Sequence, residues 1–275
     1  MRSNHTTRWA ACLAAGLAVL VVATEAHDFW LVPDAMRVGH EDALVLRGQT
    51  SSAFPTSESA VTVDRITSAR VLGAADSENI PSRAVSGTSL VLTHRPATAG
   101  QKVVGVTLGW RHVKETAESF RRYLELEGAE DALKRYEQAG LLPTTDIIRR
   151  YAKYAKTFVE VGDGPRAFER TLEHPLEFVP LDDPATIAPG GIIRLRLLFA
   201  GQPLQGARVH TGRAPDAGAE REQDRHLTTG ADGGIAVPID RAGLWNARTI
   251  HVVPAPRGSD ANWEVHWASV VWQAR

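Results

Sequence analysis

The chain has one cysteine, Cys12, and it falls inside the N-terminal apolar run. A chain processed beyond it has no disulfide and no thiolate metal site, so any metal ligands must be nitrogen or oxygen. Charge of one sign is also missing. Thirty-one Lys and Arg stand against 32 Asp and Glu, a formal net charge of −1. That balance leaves no basic footprint for nucleic acid. Past residue 23 no apolar run is long enough to span a membrane, and "AACLAAGLAVLVVA" at 10–23 falls short of the roughly 20 residues a span needs. There is no HExxH motif, no G-x-S-x-G elbow and no phosphate loop. "GDGP" and "GADGG" are turns, because no helix start with Lys-Ser or Lys-Thr follows them. No repeat or low-complexity tract is present.

What is there begins with a secretory signal over residues 1–26. Arg2 and Arg8 supply the positive start, 10–23 the apolar segment, and Thr24-Glu25-Ala26 the small-residue end. Cleavage after Ala23 is the rival. "WAAC" comes too early, and Trp9 is wrong, for a lipoprotein signal. Removing 26 of 275 residues leaves 249, room for one large or two modest domains. Cleavage after Ala26 makes His27 the first residue. Its free amine and Nδ1 then close a six-membered chelate ring on a metal, a histidine brace, with nitrogen ligands of the kind that suit Cu(II) and Ni(II). A start at Thr24 removes that arrangement. On the plainer reading, His27 merely begins the strand "HDFWLVP".

From 28 to about 110 the pattern is short strands with turns. "ALVLRG" (43–48), "AVTVDRI" (60–66), "TSLVLTH" (88–94) and "KVVGVTLGW" (102–110) are rich in β-branched residues with partial alternation. Phe120, Tyr123, Leu124, Leu133 and Tyr136 then recur at helical spacing among charges. Gly128 splits this stretch into two helices, and Gly140 and Pro143 end the second. "TTDIIRRYAKYAK" (144–156), opening on Thr capping residues, reads as a third helix. On that helix Lys153 and Lys156, three apart, share a solvated side, with anion or carboxylate binding as the alternative. From 165 onward the strands return every 8–12 residues, as in an immunoglobulin-like sandwich.

The expected architecture is therefore mainly β, two β-sandwich (immunoglobulin-like) regions with a small helical insert. The divisions are 1–26 signal peptide, 27–112 N-terminal β region, 113–156 helical insert and 157–275 C-terminal β-sandwich region.

Seven pieces in order carry a resemblance: "AHDFWL" (26–31), "FRRYLELEG" (120–128), "RRYAKYAKTFVEVG" (149–162), "PLEFVPLDDP" (175–184), "LFAGQPLQGARV" (198–209), "GADGGIAVPIDRAGLW" (230–245) and "WEVHWASVVW" (263–272). Together they resemble the domain-of-unknown-function 4198 family, secreted bacterial proteins often labelled as periplasmic components of nickel or cobalt uptake. The resemblance covers nearly the whole chain after the signal. The family pattern has His then Met near the "GLW…H" strand. Here Val252 follows His251, which removes a thioether ligand and keeps the histidine. The "GQPLQGARVH…GLWNARTIHV" stretch also looks like Gly-rich sandwich modules appended to carboxypeptidases and surface proteins.

Nine histidines remain after the signal: 27, 40, 94, 112, 174, 210, 226, 251 and 266. His27 stands out by its terminal place. His251 stands out by its strand, where residues 245, 247, 249 and 251 share a face. Glu264 and His266, two apart, share a face of a strand that pairs with it, so either reaches His251 or orients it. The expected metal set is His27, His251, Glu264 and His266, holding nickel, cobalt or copper. The function this implies is a periplasmic or secreted metal binder with a membrane transporter complex as its partner, and whether it is an enzyme stays open. The alternatives are a copper oxidative enzyme acting on polysaccharide and a structural or carbohydrate-binding sandwich without metal.

Overall fold

The computed structural model describes residues 27–275; the expected signal and its cleavage point lie outside the described residues. In chain order the N-terminal strands are β1 (Asp28–Pro33), β2 (Arg37–Val38), β3 (Leu44–Ser51), β4 (Ile66–Leu72), β5 (Ser77–Asn79), β6 (Ser82–Ser86), β7 (Ser89–His94) and β8 (Gly100–Glu115). Two helices follow, α1 (Ala117–Leu126) and α2 (Glu130–Gln138). Next come β9 (Ile147–Val161), β10 (Leu176–Pro180), β11 (Ile192–Phe199), β12 (Gln202–Pro203) and β13 (Arg208–Arg213). The chain closes with β14 (Arg225–Thr228), β15 (Gly234–Pro238), β16 (Gly243–Pro254) and β17 (Trp263–Ala274).

The protein is mainly β, with three sheets and a small helical insert. A nine-stranded sheet, ordered β14-β13-β16-β17-β9-β8-β4-β5 with β2 on β9, forms the middle layer. Its pairings are antiparallel except β9 with β17 and β2 with β9. One four-stranded sheet, β1-β3-β7-β6, covers one face, where Leu31, Leu46 and Leu92 pack on Val104, Val106 and Val159. The helices cover the same face further along. There Phe120, Leu133 and Tyr136 pack on Trp263, Val265 and Trp267 of β17. The sheet of β10, β11, β12 and β15 covers the opposite face, where Phe178, Leu195 and Val237 meet Tyr154, Phe158, Val270 and Trp272.

Local signals explain the insert. Thr116 caps α1, its side chain accepting from the Ser119 amide. Gly128 takes φ +75° and Gly140 φ +65°, left-handed positions that glycine adopts without strain and that end each helix.

The expected third helix is absent. Residues 147–161 form β9, a central strand flanked by β8 and β17. Both faces of β9 are covered, so its sequence loses the polar–apolar alternation that marks a strand, and the Tyr and Ala spacing imitates a helix. In a strand, residues three apart point to opposite faces. Lys153 and Lys156 accordingly lie on opposite sides of the sheet, 6% and 1% exposed, and not on a solvated helix. "AVTVDRI" also starts later than its pattern suggests: Val63–Arg65 is a 3-10 turn and the strand begins at Ile66.

Candidate functional site

β16 and β17 pair antiparallel, and the register sets His251 directly opposite His266. Both rings face the β11 side, with Phe199 edge-on to each at 4.4 and 5.1 Å between centroids. Glu264, on the same face, has Oε2 3.4 Å from His266 Nε2. Its other oxygen accepts from Arg150, whose guanidinium also lies over the Trp110 ring. The Tyr154 hydroxyl lies 3.1 Å from His266 Nδ1. Burial lowers the His251 pKa to about 4, helped by the neighbouring His266. Burial also lowers that of His266, against the pull of Glu264. Both imidazoles are neutral at pH 7, the form that binds metals. His266 Nε2 is buried and has no hydrogen-bond partner.

His27 is elsewhere. Its carbonyl accepts from Lys153 Nζ, and Lys153 pairs in register with Trp267 on the α1 side of the sheet. His266 is the neighbour of Trp267 and points the other way. The middle sheet thus separates His27 from His251, His266 and Glu264. The His27 imidazole faces Glu58, with Nε2 3.5 Å from Oε2. The joint set of His27 with His251 is not assembled, because β1 packs on one face of the middle sheet and His251 points to the other. Among the described residues no three His, Cys, Asp or Glu side chains are arranged to hold a metal ion.

On the His27 side lies a second cluster that the sequence reading missed. Asp28 and Lys153 are both 6% exposed. Asp28 lies 3.1 Å from Arg248 Nε, and burial raises its pKa. Burial lowers that of Lys153 to about 8, opposed by the charge of Asp28. Glu127, at the end of α1, is raised to about 7 by burial and by Asp28. Arg149 pairs with Glu115 at 2.5 Å and lies 3.9 Å above the Tyr123 ring. Oppositely perturbed groups collected in one place mark a functional candidate. The one sequence signal was "YAKYAK", which a helical reading turned outward.

A cleft of about 430 Å³ lies near Arg37, Glu160, Asp163, Arg166, Asp183 and Arg275. Its arginines and carboxylates pair with one another, Glu160 accepting from three arginines, so it reads as a structural ion network.

The chain belongs to the family described as Domain of unknown function (DUF4198), whose model matches residues 24–253. No curated protein matches it. Among solved structures, it is similar to the "D0-D1 domain of Intimin" at 10% identity and a TM-score of 0.21, covering 88% of this chain and 96% of that one. It is also similar to the Yersinia pseudotuberculosis adhesin InvE at 13% identity and a TM-score of 0.23, covering 91% of this chain and 61% of that one. At these scores neither likeness bears on what the chain does. No helix among the described residues is long and apolar enough to cross a membrane.

Proposed function

We propose that this DUF4198 protein binds a divalent transition metal, nickel, cobalt or copper, outside the cytoplasm, through His266 and Glu264 with His251 as third ligand. The observation that carries the reading is the orphaned His266 Nε2, 3.4 Å from Glu264 Oε2. Two ligand atoms on one tetrahedral ion, each at about 2.0–2.2 Å, stand about 3.3–3.5 Å apart. With Nδ1–H donating to the Tyr154 oxygen, Nε2 presents its lone pair toward Glu264, as an outer-shell partner arranges for a metal-bound histidine. His251 is half-buried directly across the ladder from His266, and the three side chains do not stand as a ready set, so on this reading His251 would have to turn its ring to become the third ligand. The metal would be cargo, buffered or passed to a transporter. The signal-like segment at 1–26 supports a periplasmic or secreted location. The His27 imidazole has Glu58 beside it and the middle sheet between it and His251, so His27 stands outside this ligand set.

Isothermal titration with Ni(II), Co(II) and Cu(II) tests this on the mature protein, His266→Ala, Glu264→Gln and His27→Ala. His266→Ala and Glu264→Gln should each weaken binding by about tenfold or more, while His27→Ala retains it. No saturable binding by the parent, or loss only in His27→Ala, would refute the assignment. The former result would favour a sandwich module without metal.

A further inference from the structure

β9 changes partner near its end. β17 pairs with it as far as Val271 opposite Thr157, and β2 takes over with Arg37 opposite Glu160. One more step of the β9–β17 ladder would set Trp272 beside Phe158. The strands part there instead. Both side chains point to the β10–β11 face, where they belong to one core. The fork holds a cavity of about 320 Å³, walled by Phe158, Trp272, Met36, Val159 and Pro184, with Ala185 next to the proline. That volume lies at the lower end of the range for small-molecule sites.

Trp272 is 1% exposed. Trp245 of β16 stacks on the side away from β9, with 6.4 Å between ring centroids. The Trp245 indole donates to the Arg241 carbonyl at 3.0 Å. The Trp272 indole N–H is buried and has no partner among the described residues. Native interiors rarely leave a donor in that state. An indole N–H donates only, so what completes it is an acceptor.

The charges at the rim are already matched. The cavity shares Arg37, Glu160 and Arg275 with the neighbouring cleft of ion pairs. Arg37 pairs with Glu160 and Asp163, Arg166 with Glu160 and Asp183, and Arg275 with Glu160. Three arginine side chains thus stand against three carboxylate side chains, and no unpaired charge is left to hold an ion. The walls call for an apolar body, and the two rings on either side of the fork suit a flat one.

We propose that the cavity at the fork of β9 and β17 binds a small uncharged aromatic molecule with one hydrogen-bond acceptor. Its ring lies between Phe158 and Trp272, and its acceptor takes the Trp272 indole N–H. The site is at the opposite end of β17 from Glu264 and His266 and does not depend on the metal reading.

Nuclear magnetic resonance of the indole N–H signals, on the intact mature protein titrated with acetophenone, tests it. The Trp272 signal, assigned by its loss in Trp272→Phe, should move and saturate. Ethylbenzene, which lacks the acceptor, should bind about twofold to tenfold more weakly. Cyclohexyl methyl ketone, which lacks the aromatic ring, should also lose about twofold to tenfold. Ala185→Phe fills the cavity and keeps the main-chain bond from residue 185 to Asp183, so it should abolish the shift. Lys134→Met, on the exposed side of α2, should leave binding unchanged. If Ala185→Phe does not fold, Phe158→Leu replaces it and should weaken binding about twofold to tenfold. No saturating shift would mean that the cavity holds water alone and overturns the proposal. So does undiminished binding by Ala185→Phe, or by Phe158→Leu in its place. Ethylbenzene bound as tightly as acetophenone would remove the role given to the indole N–H, and benzoate bound more tightly would mean an anionic ligand; either result overturns it.

Discussion

Replacing Lys156 with Met tests how the β10–β11 sheet is locked to the middle sheet. Lys156 Nζ donates to Glu177 Oε1 at 2.6 Å and to the Phe178 carbonyl at 3.0 Å, from a side chain 1% exposed. Glu177, 3% exposed, also accepts from the amides of Leu172 at 2.8 Å and His174 at 3.2 Å. Met fills nearly the same space without charge. It leaves the Glu177 carboxylate in the interior with two amide donors and no counter-ion, which costs about 3–5 kcal/mol. Glu177→Gln leaves the ammonium with carbonyls only, and burial already lowers the Lys156 pKa, so it sheds its proton at a similar cost. The double variant Lys156→Met/Glu177→Gln contains no buried charge, and the Gln carbonyl keeps the shorter amide bond, from Leu172, while its NH2 takes the place of the oxygen that faced the His174 amide. Its loss should be smaller than the sum of the singles by about 1–3 kcal/mol, the range for groups in direct contact. Urea unfolding of the mature protein, followed by Trp fluorescence and far-ultraviolet circular dichroism, gives each value from the midpoint and slope. Singles that lose less than about 1 kcal/mol, or a double equal to the sum, would refute the reasoning.

Burial holds His174 near pKa 4, against 6.5 for an unperturbed histidine. The unfolded chain takes up that proton first, so the stability His174 contributes is whole above pH about 6.5 and lost by about 4, on the order of 3 kcal/mol. His174→Gln should flatten urea midpoints across that window, with His210 and His251 retaining part of the slope; identical slopes in parent and variant would count against it. Gly128→Ala places a Cβ 2.6 Å from His210 Nε2 at φ +75°. It should cost about 1–2 kcal/mol and lower Tm by a few degrees, and an unchanged Tm would show that the turn does not need glycine.

The juxtaposition of His251, Glu264 and His266 was legible in the sequence. The alternation at 245, 247, 249 and 251, and the two-residue step from Glu264 to His266, place three of the four expected ligands on one face of one strand pair. His27 lies apart from them for a reason no local pattern carries. Its position depends on which side of the middle sheet β1 lies, and β1 packs beside Lys153 and Ser269, whose hydroxyl donates to the Phe29 carbonyl. The Lys153 cluster was hidden by the same problem. "RRYAKYAK" has the composition and spacing of an amphipathic helix, and only its placement between β8 and β17 makes it a strand.

Sequence by itself determined the class of the protein: mainly β, with a helical insert punctuated by Thr116, Gly128 and Gly140. Those features come from contacts a few residues long, where backbone preference and side-chain period act directly. Tertiary structure alone decided that one middle sheet serves both outer sheets, and which residues share a face of it. The parallel pairing of β9 with β17 joins residues more than a hundred positions apart, such as Lys153 and Trp267. Long-range strand pairing of this kind is chosen by the burial of whole faces, and a shift of one residue exchanges every side chain between them. That choice put His266 with Glu264 on one side, and Lys153 with His27 on the other.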